Sequence, residues 1–302
     1  MKSRFRTYTY IYILLCCIIS CNKEAPQGAL DWHTATNANE NSQRNAKGLE
    51  IPRLDPSILF NRYATDYNGK ETATFSIEYD KKKRHSKWVA FTFDNNTSQV
   101  NWNRNNWGKD PFQPDPLLPN DIRIGDEEHK KDRYDRGHLC ASADRLYSKD
   151  ANEHTFYYSN ISPQLNEFNT GIWLDLENKV QNWGSNSNMR DTLYVVKGGT
   201  IRDGEYYDSR GQHGVIVKDL EKMNGIVVPA HYFMALICRK ADTFYGIAFY
   251  FEHKERHTGN LSDYAITIDQ LEEYTGIDFF CNFPDKVEEA IEARCMPSLW
   301  GL

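Results

Sequence analysis

Six segments of strand character and two of helical period run through residues 72–275, and they do not alternate with one another. A doubly wound fold needs a helix after each strand, so this order argues against one. Residues 72–79 (TATFSIEY) alternate apolar and polar, as a half-buried strand does. The basic stretch Lys81-Lys82-Lys83-Arg84-His85-Ser86-Lys87 separates them from a second strand at 88–93 (WVAFTF). The two read as a hairpin with a cationic tip. Further strands are expected at 192–197, 214–217, 226–237 and 244–251, and a long irregular loop at 95–120, rich in Asn, Trp and Pro. Helices are expected at 170–183, with Ile172, Trp173, Leu176, Val180 and Trp183 on one face, and at 268–275, stopped by Gly276. The expected fold class is α+β: a mixed, largely antiparallel sheet with packed helices. There is no internal repeat and no Gly-rich phosphate loop of the Walker or dinucleotide type.

The chain is 302 residues long and 40% hydrophobic, enough to build a core and to exclude a wholly disordered chain. Its formal net charge of -6 excludes a polycationic nucleic-acid coat, though not a local basic groove. Residues 1–20 read as a secretory signal, with Lys2, Arg4 and Arg6 ahead of a short apolar run. Ile18-Ile19-Ser20-Cys21 resembles a bacterial lipobox, which would make Cys21 a lipidated first residue and membrane anchor. Residues 21–50 then read as a polar tether and 51–302 as the folded domain of an exported, membrane-anchored lipoprotein, periplasmic or on the cell surface. Removing the signal takes away three basic residues and no acidic one, so the exported body would carry -9. Four cysteines remain beyond Cys21: Cys140, Cys238, Cys281 and Cys295. Disulfides are an expectation for an exported protein, with Cys281–Cys295 the most local pairing. None has the CxxC or CxxH spacing of a structural zinc site.

The chemistry concentrates between residues 135 and 177. In Asp135-Arg136-Gly137-His138, a histidine, with an unperturbed pKa of about 6.5, is a candidate general base at neutral pH. On an extended segment, Arg136 and His138 point to the same side and can face one phosphate. Gly137 between them allows close approach of a neighbouring strand. The same four residues also suit a polar turn with a structural histidine. Asn169 and Glu177 lie eight residues apart on the expected helix, about 12 Å along its axis, so one ion reaches both only if one contact passes through water. An N-cap Asn and an exposed helix Glu are the plain alternative. Between the two pieces, Asn160 and Gln164 are polar residues that would need buried partners.

Three linked blocks carry a resemblance. They are Asp135-Arg136-Gly137-His138-Leu139, then residues 155–164 (TFYYSNISPQ), then residues 169–177 (NTGIWLDLE). In order and spacing this set resembles the DNA/RNA non-specific endonuclease family that includes mitochondrial endonuclease G, with weaker likeness over residues 55–290. The resemblance implies a ββα-metal active-site motif and hydrolysis of phosphodiester bonds in DNA and RNA, with Mg²⁺ or Mn²⁺. It implies His138 as general base, Asn169 as direct metal ligand and Glu177 as the acid that holds coordinated water. Arg136 becomes the phosphate-stabilising arginine and Asn160 a supporting polar residue, while Asp135 orients its neighbours. Relatives are often dimers, so a homodimer is an open expectation. One departure stands out: Cys140-Ala141-Ser142-Ala143-Asp144-Arg145 replaces the family's usual continuation. Asp144 is expected to add negative charge near the site and Arg145 to offset it, with Cys140 a buried structural thiol or half-cystine. Lys81, Lys82, Lys83, Arg84, Lys87, Lys130, Lys131 and Arg133 are candidates for phosphate contact. Two other readings stay open: a non-catalytic nucleic-acid-binding lipoprotein on the same fold, and a hydrolase using paired carboxylates such as a glycosidase.

Overall fold

The computed structural model describes residues 36–129, 133–202, 204–207, 213–217 and 220–302. The signal segment, Cys21, the start of the tether, Lys130 and Lys131 lie outside the described residues. The strands are β1 Leu59–Tyr67, β2 Lys70–Asp80, β3 His85–Phe93, β4 Tyr134–His138, β5 Ile161–Leu165, β6 Thr192–Gly199, β7 Gly204–Tyr207, β8 His213–Val217, β9 Lys222–Met223, β10 Ile226–Val227, β11 His231–Lys240, β12 Thr243–Glu252 and β13 Ala265–Ile266. The α-helices are α1 Lys149–His154, α2 Asn166–Asn169, α3 Ile172–Ser185, α4 Ile268–Thr275 and α5 Asp285–Glu292. Seven strands form one sheet in the order β1-β2-β3-β6-β11-β12-β13, with every neighbouring pair antiparallel. The fold is α+β, as the unalternated order of elements implies.

The period-two pattern sends the sheet's side chains into two cores. Ile77, Val89, Phe91, Val195 and Leu236 face one side, where α3 buries Trp173, Leu176 and Val180. Trp88, Ala90, Val196, Phe233 and Ala235 face the other, where α4 and α5 bury Leu271, Tyr274, Val287 and Ile291. The molecule is therefore layered, with α3 on one face of the sheet and the α4–α5 pair on the other.

The expected hairpin is β2–β3. The sequence reading omitted β1, whose signature is the two-residue turn Asn68-Gly69, with φ of 56° and 75° as tight hairpin turns require. The long strand expected at 226–237 is two strands, because Pro229 lacks the N–H that a ladder needs. Helix α4 matches its expected span, opened by a Thr267–Gln270 capping box and closed by Gly276 at φ 67°.

Two expectations are corrected. Residues 36–50 do not continue a tether but lie docked on the body. Asn37 donates to the carbonyls of Cys281 and Phe283, Asn282 donates to those of Ala46 and Gly48, and Ala46 is fully buried. Short amide side chains that look solvating in sequence serve here as backbone partners. Cys140, Cys238 and Cys281 are also free thiols, so the expected Cys281–Cys295 bridge is not formed. Nearness in sequence misleads, because α5 intervenes. Cys281 lies against Asn41 and the Ile51 carbonyl, whereas Cys295 packs on the α3 side of the sheet.

Candidate active site

Strands β4 and β5 pair antiparallel and lead through α2 into α3, a strand–strand–helix unit laid over the sheet. Gly137 pairs with Ser162, and a Cβ there would meet the Gln164 side chain at 2.0–2.7 Å. Glycine is thus what lets the two strands close. The hairpin is tied down from below: His85 Nε2 meets Ser162 Oγ at 2.6 Å, and Tyr232 OH contacts the same hydroxyl at 2.6 Å and donates to the Pro163 carbonyl. Asn160 is fully buried. It accepts from the Cys140 N–H at 2.8 Å and donates to the carbonyls of Cys140 and Thr155 at 2.9 and 2.7 Å. It fixes the chain just after His138 and does not reach the cleft, so its placement is that of a positioning group. The Gln164 amide meets no partner among the described residues.

Alternation along β4 puts Arg136 and His138 on one side, and both line a cleft of about 520 Å³ with Asn169, Glu177 and Arg104. His138 lies between the rings of Phe112 and Phe156, with centroids 5.3 and 5.2 Å away. Its Nε2 is out of solvent and without a hydrogen-bond partner among the described residues. Burial first, then the charges of Arg104, Lys197 and Arg136, pull its pKa down to about 3, so the imidazole is neutral at pH 7. The Arg136 guanidinium lies 3.8 Å over the Phe112 ring and 2.9 Å from Asp110.

Asn169 is the last residue of α2, not the N-cap of α3, a place taken by Gly171. Its Nδ2 donates to Asp135 Oδ2 at 3.0 Å, beside a parallel bond from Asn166 at 2.9 Å. Asp135 thereby sets the Asn169 amide so that its oxygen points away from the carboxylate. One turn into α3, Glu177 is buried and accepts from Lys197 Nζ at 3.3 Å. Lys197 also reaches Asp144 at 2.8 Å, with both side chains fully buried. Burial opposes the lysine's charge, but Asp144 and then Glu177 outweigh it and hold the ammonium charged. Burial keeps the Glu177 carboxyl above its usual range, with Lys197 pulling the other way. One buried cation thus bridges two buried carboxylates at the cleft wall.

This corrects the expected role of Arg145. It lies 4.4 and 4.8 Å over the rings of Phe91 and Phe93 and donates to the Thr92 carbonyl, while Lys197 neutralises Asp144. The sequence reading missed Lys197, although Leu193, Val195 and Lys197 share the α3-facing side of β6 and a lysine in that row must find a buried counter-charge. It also missed Arg104, hidden in the loop it read as irregular. The basic hairpin tip does not line the cleft. Arg84 pairs with Glu128, and Lys87 lies 3.6 Å from buried Glu78. Arg133 pairs with Glu221. Cys140 is buried, and burial pushes its thiol up to about 12, so it is no nucleophile.

Comparison with known proteins gives the same unit a context. The family model for DNA/RNA non-specific endonuclease matches residues 58–286. The chain belongs to that family. Among relatives of the DNA/RNA non-specific endonuclease family, it is 28% identical to bovine (Bos taurus) mitochondrial endonuclease G over 177 residues, covering 57% of this chain and 54% of that one. It is 32% identical to the human (Homo sapiens) enzyme over 124 residues, 39% and 38% of the two chains. A nuclease of Serratia marcescens is 24% identical over 176 residues, 56% and 60%. The chain thus spans about half the length of the curated relatives it matches. A solved structure of the EndoG/EndoGI complex superposes with a TM-score of 0.60 at 20% identity, covering 74% of this chain and 87% of that one, so the likeness extends to the fold.

Proposed function

We propose that the protein is a metal-dependent, sugar-non-specific endonuclease that hydrolyses phosphodiester bonds in DNA and RNA. The observation that carries this reading is a neutral His138 in one cleft with two arginines, an oriented amide and a buried carboxylate. Phosphodiester hydrolysis needs a base for water, charge on the phosphoryl oxygens and help for the departing oxygen. His138, whose imidazole lines the cleft, takes the proton of the attacking water. Arg136 and Arg104 hold the phosphate, and Asp110 keeps Arg136 aimed before substrate arrives. The donor set fits a hard divalent cation, Mg²⁺ or Mn²⁺: an amide oxygen presented by Asn169 and a carboxylate at Glu177. When bound, such an ion would supply Lewis-acid charge for the phosphate and the leaving oxygen. Asn169 would hold it directly and Glu177 through solvent, with Asp135 and Lys197 fixing those two side chains. Export through residues 1–20 and anchoring by lipid at Cys21 belong to the same proposal, supported by the lipobox-like sequence.

The test incubates purified protein with plasmid DNA and structured RNA, with Mg²⁺ or chelator, beside His138→Ala. Metal-dependent loss of both substrates by the wild type, with the variant slower by about 10²–10⁴-fold, is the expected result. Equal cleavage by the variant removes His138 from the role of base. DNA binding without cleavage by the wild type would favour the non-catalytic reading.

A further inference from the structure

On the sheet face opposite the cleft, α4 and α5 lie side by side and their facing surfaces carry acids. The groove there is lined by seven carboxylates, among them Asp269, Glu272, Asp278, Glu288 and Glu292, and among the described residues by no lysine or arginine. Asp269, Glu272 and Glu292 converge: one carboxylate oxygen of each lies within 4.8 Å of the others. Glu292 is only 4% exposed, and its Oε1 meets no hydrogen-bond donor among the described residues. Such a carboxylate costs several kcal/mol if left charged and alone, so it calls for a proton or a cation.

We propose that Asp269, Glu272 and Glu292 form a second divalent-cation site, suited to Ca²⁺, that clamps α4 to α5. Oxygen ligands of Ca²⁺, about 2.3–2.6 Å from the ion, are at most about 5 Å apart, so three oxygens within 4.8 Å of one another can share one ion. Glu272 Oε1 already accepts from the Phe279 N–H at 2.6 Å, which fixes that side chain without using both its oxygens. Water and the polar groove wall complete a coordination that Ca²⁺ tolerates in irregular geometry. The site bridges two helices that otherwise meet through the apolar row of Leu271, Val287 and Ile291. It is independent of the active-site reading, because neither helix lines the cleft.

The experiment uses the full-length chain stripped of metal, titrated with Ca²⁺ by equilibrium dialysis and followed by thermal unfolding. The variants are Glu292→Gln, Asp269→Asn and Asn169→Ala. The expected wild type binds Ca²⁺ below about 1 mM and melts higher with it. Asn169→Ala should keep both effects. Glu292→Gln and Asp269→Asn should each weaken binding at least about tenfold, with metal-free melting temperatures no lower than the wild type's. Asp269 is the more exposed of the two, so its variant stands in should Glu292→Gln fail to fold. The proposal is overturned if the wild type binds no Ca²⁺ up to about 10 mM. Undiminished binding by folded carboxylate variants, or loss of Ca²⁺ binding in Asn169→Ala, overturns it as well.

Discussion

At the level of single residues, the site depends on side chains that aim other side chains. Asp135 makes no contact that would activate water, yet it takes two amide hydrogen bonds and sets which end of Asn169 faces the cleft. Asp135→Ala should therefore weaken the metal dependence of cleavage by about 10–100-fold, read as the Mg²⁺ concentration for half-maximal rate. An unchanged Mg²⁺ dependence would show that Asn169 orients itself. A second prediction concerns His85, buried between Ser86 and Ser162, whose pKa burial pulls down to about 4. The unfolded chain titrates near 6.5, so between the two values it binds protons that the folded state refuses. Stability should then fall as pH drops through that window, by roughly 2 kcal/mol between pH 7 and 5 from His85. His129 and His253, also pulled down to about 4 by burial, add in the same direction. Urea midpoints measured across that range check it, and a flat profile would contradict it. The candidate residues were legible because Asp135, Arg136, His138, Asn169 and Glu177 sit at a fixed spacing in sequence. Lys197 and Arg104 were not, since they come from a strand and a loop far along the chain.

Elements set the distances that residues cannot. The β4–β5 pair followed by α3 brings His138 and Glu177 to one cleft, and β6 crosses beneath to deliver Lys197. The lysine holds both Asp144, at the turn after β4, and Glu177, on α3. It is the link between the two halves of the site and the sheet. Lys197→Met keeps most of the volume but leaves two buried carboxylates unpaired, so a loss of about 3–5 kcal/mol in unfolding free energy is expected. Raising Mg²⁺ should restore part of it, because the ion would take over charge that the lysine balanced. A variant as stable as the wild type would mean that the carboxylates had already taken up protons. Strand identity itself was readable from alternation. The breaks were less so: Pro229 splits a run that composition alone reads as continuous, and Asn68-Gly69 marks a hairpin whose first strand, β1, has a polar and irregular pattern.

The whole molecule is acidic, with a formal charge of -6, and its cleft presents two arginines rather than the basic hairpin. Binding to nucleic acid should therefore depend only modestly on salt. Each neutralised phosphate contributes a slope of about 0.9, so log affinity against log salt should run near −2 to −3 for His138→Ala on duplex DNA, and Arg104→Ala should flatten it by about one. A slope steeper than about −5 would bring the hairpin lysines into the contact surface. The acidic groove on α4 and α5 lies on the opposite face and would repel the polyanion there, leaving the cleft side as the approach. By itself the sequence determined the α+β class, most strand positions and the family, because alternation, helical period and a spaced motif are local along the chain. Only the tertiary structure decided that residues 36–50 dock on the body, that Cys281 is a free thiol set against Asn41 and that Lys197 rather than Arg145 answers Asp144. Those outcomes depend on which face of the sheet each side chain enters and what waits there. Buried charges and amides must find partners, and where the partners stand is a property of the packed layers, not of nearness in sequence.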